Sequence, residues 1–197
     1  MNTPDPHGTG RDRVPENIFL VGLMGAGKTS VGRTLARRLH KAFFDTDQEI
    51  ERTTGVKIPV IFEIEGEAGF RAREARLLAD LVQRRNIVLA TGGGVVLAEQ
   101  NRRLLTKNGS VVYLRACVED LWERTRYDKN RPLLRTENAV AKLNELFVQR
   151  DPLYREVADL IVDTGSQSVG SLATTLEKRL LGHARDADPA GGALTIG

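Results

Sequence analysis

The sequence has one cysteine, three histidines and one tryptophan in 197 residues, aromatics make up only 5%, and no apolar run approaches the length of a membrane-spanning helix. A single thiol, Cys117, excludes an internal disulfide framework and fits a reducing compartment, so the expected location is cytoplasmic. His7, His40 and His183 are too scattered to read as metal ligands. The N-terminal stretch has no apolar segment of the signal-peptide kind, and spanning helices need about 18 apolar residues or more, so neither export nor a membrane partner is expected. The basic surplus is small, 29 Lys and Arg against 26 Asp and Glu. With few aromatic platforms and no basic stripe, nucleic acid is not an expected partner. What remains is ordinary globular composition, 41% hydrophobic and 28% charged, at a length that suits one domain.

Proline, glycine and charge without apolar periodicity mark residues 1–16 and 182–197 as flexible tails, leaving 17–181 as the folded unit. Within it, short apolar runs at 17–21, 42–45, 87–90, 111–114 and 160–163 read as strands. Amphipathic stretches read as helices from Thr29 past Leu39, from Asp45 or Thr46 through Ile50, and near 60–84, 97–106, 118–125, 138–149 and 169–181. Five buried strands separated by helices imply an α/β fold, a parallel sheet covered on both faces, with ligands at the carboxyl ends of its strands. Cys117 reads as a small core residue and Trp122 as packing.

Directly after the first strand, Gly22 to Thr29 reads GLMGAGKT and satisfies G-x-x-x-x-G-K-[ST] at every fixed position. Glycines let successive N–H groups turn around phosphate oxygens, the following helix adds its positive end, Lys28 reaches the outer phosphates and Thr29 offers a hydroxyl to Mg²⁺. A nucleoside triphosphate is therefore the expected ligand. No N-K-x-D guanine reader occurs, since Lys129-Asn130 stands in the reverse order. The strand 87–90 runs into Thr91 and three glycines rather than an acidic residue. The nearby carboxylates are Asp45 and Asp47, two residues apart past the second strand. One could face a metal and the other an acceptor, or both could simply stabilise a helix N-terminus.

Six segments stand in the order found in shikimate kinases: GLMGAGKT at 22–29, DTDQEI at 45–50, GFR at 69–71 with Glu74, GGG at 92–94, RPLL at 131–134 and RDPLY at 150–154. The resemblance spans about 17–181. It implies a three-layer P-loop fold of the nucleoside monophosphate kinase type, with sheet order 2-3-1-4-5, a substrate-binding helical region and a lid over about 124–136. It further implies transfer of the ATP γ-phosphate to the 3-hydroxyl of shikimate, yielding shikimate 3-phosphate and ADP on the route to chorismate and the aromatic amino acids, with Mg²⁺ as cofactor and a monomeric enzyme. Carried onto this chain, Lys28, Asp47 and the lid residue Arg131 are the catalytic set. Gly25, Ala26, Gly27, Lys28, Thr29, Ser30, Arg124, Arg131 and Gln167 hold the nucleotide, and Thr29 with a water-mediated Asp45 holds the metal. Asp47, Arg71, Glu74, Gly92, Gly93, Gly94 and Arg150 face shikimate, with Phe62 and Phe70 at the pocket's border.

The chemistry agrees with that assignment, because a guanidinium fork matches a carboxylate in a way lysine cannot. Arg71 has a blander reading as an i,i+3 ion pair with Glu74, and the expectation combines the two, with Glu74 orienting Arg71. Phe62 and Phe70 read equally as core. The arginine pair would also suit another small polyol acid such as gluconate. Two departures from the family pattern are Val169, where some relatives carry proline, and Lys-Thr-Ser in place of Lys-Ser-Thr after the glycine loop.

Overall fold

In the computed structural model, residues 14–128, 132–134, 136–165 and 167–186 are described. Five short strands are built from residues that bury on both faces: β1 (Ile18–Val21), β2 (Ala42–Asp45), β3 (Ile87–Ala90), β4 (Ser110–Arg115) and β5 (Leu160–Asp163). They form one parallel sheet in the order β2-β3-β1-β4-β5. Registers such as Leu20 opposite both Ala90 and Val112 align the strand ends, so the segments leaving β1, β2, β3 and β5 emerge on one rim. Ile18 to Val21, Ile87 to Leu89 and Val111 to Leu114 are almost fully excluded from solvent. This is the near-continuous apolar character expected of strands covered by helices on two sides. At the opposite rim, buried Asn17 ties three segments together, accepting from the Ile87 N–H and donating to the carbonyls of Arg84 and Asn108.

Among the described residues, seven α-helices flank the sheet: α1 (Lys28–Arg38), α2 (Thr46–Thr54), α3 (Ile58–Leu81), α4 (Glu99–Asn108), α5 (Val118–Thr125), α6 (Ala139–Val157) and α7 (Val169–Asp186). A separate apolar cluster of Ile50, Ile61 and Phe70 holds α2 against α3, which makes a small helical region beside the sheet. Gly66 (φ 70°) breaks the helical path within α3, so this element is two helices joined at a kink.

Several boundaries differ from those expected. Helix α6 does not stop near 149 but runs through Pro152 to Val157. The carbonyl that Pro152 leaves without an N–H partner belongs to exposed Val148, while buried Tyr154 and Val157 anchor the continuation. Helix α7 reaches Asp186, five residues into the segment read as a tail. Val14 packs against the core, and Lys41 donates to the Glu16 carbonyl at 2.9 Å, so the chain is tied down before Asn17. Cys117 is exposed rather than core. It stands where the chain leaves β4 and turns into α5, and its neighbour Ala116 takes the buried position. Trp122 packs partly buried against the core, as expected.

Candidate active site

The glycine loop joins β1 to α1. Gly25 (φ 81°) and Gly27 (φ 91°) adopt left-handed backbone that side chains disfavour. No side chain caps the start of α1, so its first N–H groups are left for a ligand, and the helix dipole favours an anion there. Lys28 is buried and folds back to donate to the carbonyls of Gly22 (2.6 Å) and Leu23 (2.8 Å), bracing the loop. The Ala26 N–H closes the loop's own turn onto Leu23. Ser30 is exposed at the cleft's edge.

Asp45, at the end of β2, uses its two carboxylate oxygens differently. One carboxylate oxygen caps α2, accepting from the N–H groups of Asp47 (3.0 Å) and Gln48 (3.2 Å). The other accepts from the Thr29 hydroxyl at 2.6 Å. A hydroxyl and one carboxylate beside a phosphate loop form the sparse oxygen set that suits Mg²⁺, which keeps several waters and borrows phosphate oxygens. Among the described residues no group of three or more His, Cys, Asp or Glu could hold a metal by itself.

These elements line a cleft of about 840 Å³ that runs from Asp45 and Asp47 past the glycine loop to Thr164, Gly165, Gln167 and Val169. Arg124 spans its far end. It donates to the carbonyls of Gly25 (3.3 Å) and Gly165 and to the Thr164 hydroxyl (3.1 Å), linking the glycine loop to the segment after β5. Arg131 lies outside the described residues, as do Lys129, Asn130, Arg135 and Ser166.

A second, narrow cavity of about 70 Å³ adjoins the first and is lined by Asp47, Phe62, Phe70, Arg71, Gly92, Gly93, Gly94 and Arg150, with Pro132 and Leu133 also at its wall. Arg71 donates to Glu74 at 2.8 Å and to Glu67 at 3.0 and 3.2 Å, and rests against the Phe70 ring. Glu74 is fully buried. Burial pushes its carboxyl above the usual carboxylate range, with Arg71 and Arg150 pulling it back. Arg150 is 2% exposed, and its Nε and Nη1 have no hydrogen-bond partner, although a buried guanidinium is costly to leave unsatisfied. Phe70 is core and Phe62 half-buried, their rings 4.9 Å apart, so the two aromatics close the helical region and wall the cavity at once.

The glycines allow this crowding. A Cβ on Gly94 would fall 2.2 Å from the Arg71 guanidinium, and one on Gly92 would fall 2.2 Å from a Glu74 oxygen and 3.0 Å from an Asp47 oxygen. The Gly92 N–H donates to the Thr46 hydroxyl at 2.8 Å, so it is Gly93 and Gly94, not all three, whose N–H groups make no hydrogen bond among the described residues. Thr46, Glu67 and Tyr154 are site-supporting residues that sequence reasoning missed. Tyr154 was legible in principle, because it lies four residues after Arg150 and so on the same helical face.

The chain matches the shikimate kinase family model over residues 24–181. It is 58% identical over 177 residues to a shikimate kinase of Nitrosospira multiformis, covering 89% of this chain and 91% of that one. Among solved structures it is similar to a shikimate kinase from Acinetobacter baumannii in complex with shikimate (51% identity, TM-score 0.84, covering 85% of this chain and 93% of that one). It is also similar to a shikimate kinase from Aquifex aeolicus (35% identity, TM-score 0.75, covering 85% and 98%). The sheet order, the glycine loop and these matches agree, and the chain belongs to the shikimate kinase family of P-loop kinases.

Proposed function

We propose that the chain transfers the γ-phosphoryl of ATP to the 3-hydroxyl of shikimate, giving shikimate 3-phosphate and ADP as a step towards chorismate and the aromatic amino acids, and that it acts in the cytoplasm as a monomer. The observation that carries the site assignment is the position of Asp47, which lines both the cleft beside the glycine loop and the adjoining cavity. The Acinetobacter baumannii relative with bound shikimate supports the choice of acceptor.

In this reading ATP lies in the larger cleft. Its phosphates meet the uncapped start of α1 and Lys28, and its base lies between Arg124 and the segment carrying Gln167 and Val169. Thr29 and Asp45 would hold Mg²⁺, which offsets the charge of the phosphate oxygens when bound. Shikimate occupies the narrow cavity with its carboxylate on Arg71 and Arg150, its ring beside Gly93 and Gly94, and its hydroxyls towards Asp47. Asp47 orients the attacking hydroxyl and accepts its proton as the bond to phosphorus forms. Phosphoryl transfer needs little covalent help from the protein, so positioning and electrostatics supply most of the rate. Arg131 is assigned to the transition-state charge on the resemblance of its RPLL segment alone.

Coupled ADP release with MgATP, measured with shikimate, with gluconate and with no acceptor, tests the reading. Release that depends on shikimate is expected. Release that ignores shikimate, or that prefers gluconate, overturns the acceptor assignment.

A further inference from the structure

Arg150 and Gly93 come from elements far apart in sequence, yet one side chain is hydrogen-bonded to the second and stands one helical turn from the first. Tyr154 is fully buried in α6, one helical turn after Arg150. Its hydroxyl donates to the Gly93 carbonyl. The Arg150 guanidinium, one helical turn earlier, brings its positive charge to the same phenol and opposes the effect of burial. Burial pushes the Tyr154 phenol up, so it remains a donor throughout the working pH range. The ring is fixed from behind by Tyr113, 4.9 Å away, whose own hydroxyl donates to Asp151 at 2.9 Å. Gly93 also abuts the phosphate loop: an added Cβ would lie 3.5 Å from the Met24 nitrogen, 3.6 Å from the Gly22 carbonyl oxygen and 3.7 Å from the Tyr154 hydroxyl.

Resting on the reading above, we propose that Tyr154 is a positioning residue for the acceptor. It locks the Gly93 peptide and the Arg150 guanidinium in one register, so that the carboxylate clamp and the glycine backbone present themselves to shikimate together. Tyr154 does not touch the reacting atoms and acts through those two groups. Thr46 accepts from the neighbouring Gly92 N–H, which leaves the Gly93 carbonyl as the point where a lost hydroxyl lets the run shift.

The test is Tyr154→Phe, which keeps the ring against Tyr113 and deletes only the hydroxyl, assayed beside the wild type. A rise of about 10- to 30-fold in KM for shikimate is expected, the scale of leaving a buried carbonyl without its donor, with KM for ATP and kcat within about twofold. A merely structural role would lower Tm and leave the shikimate KM of the folded protein unchanged, and that result overturns the proposal, as does an equal rise in both KM values. Failure of the underlying reading shows separately, as wild-type ADP release that does not depend on shikimate. Should the variant not fold, wild-type protein carrying ¹³C at tyrosine Cζ gives three signals to follow, one per tyrosine. The Tyr154 signal is expected to shift on saturation with shikimate and stay in place with an ATP analogue alone; a signal that shikimate does not move overturns the proposal.

Discussion

Under the proposed function the site has two halves, and they are built by different means. The nucleotide half is mostly one continuous stretch, Gly22 to Thr29, working through backbone N–H groups, with one lysine that braces the loop through its own carbonyls. The acceptor half draws on four separated segments, at 47, 71–74, 92–94 and 150, and concentrates charge where solvent is excluded, with Glu74 fully buried between Arg71 and Arg150. Backbone-built sites tolerate side-chain change around them, whereas buried charge clusters depend on every member, because removing one leaves another uncompensated. Substitutions in the acceptor half should therefore act steeply and on shikimate alone.

The largest effect should come from Asp47, the carboxylate shared by both halves. Asp47→Asn is expected to lower kcat by about 10²- to 10⁴-fold in steady-state assays while ATP affinity stays within about twofold; equal losses in both would mean the halves are not separable at Asp47. Next is Arg150→Lys, which keeps the charge but not the fork. It should reduce kcat/KM for shikimate by about 10²-fold with ATP binding unchanged, as measured by initial rates under saturating ATP. Gly94→Ala adds one methyl group where the Arg71 guanidinium now lies, and should raise KM for shikimate about tenfold by displacing that side chain.

A smaller and more specific effect concerns pH. Because burial raises the Glu74 carboxyl, that group takes up its proton at a higher pH than an ordinary glutamate as the solution is acidified, and the neutral acid holds Arg71 less firmly. The kcat/KM for shikimate should accordingly fall on an acid limb above the usual carboxylate range. In Glu74→Gln the limb should vanish, leaving a low, flat profile. The smallest effect should be Cys117→Ser, within about 0.5 kcal/mol in stability and without effect on either KM, since the thiol is exposed and outside both halves of the site.

The same contrast explains what the sequence made legible. Strand positions could be read because buried parallel strands are short apolar runs and the connecting helices have their own period, whereas the order of the strands in the sheet came from the family resemblance. The glycine loop could be read because its chemistry lies in contiguous residues. The acceptor half has no such local signal. Arg71 alone reads as a helix-surface ion pair and Arg150 as a charge ahead of a proline, and only the family resemblance joined them. Helix α6 was expected to end near 149, and it is the burial of Tyr154 and Val157 that carries it onward through Pro152. That boundary hid Tyr154, which belongs to the acceptor half only once the helix is continuous. The hydroxyl of Thr46 was invisible for a related reason, because its partner, the Gly92 N–H, comes from a strand end 46 residues away.

The separability of the two halves is most directly tested by calorimetric titration of Arg71→Ala with an ATP analogue and, separately, with shikimate. The account predicts nucleotide affinity within about twofold of wild type and loss of about 10²-fold or more in shikimate affinity, the scale of removing one partner from a buried charge pair. Parallel loss of both affinities, or shikimate binding at wild-type strength, would contradict it.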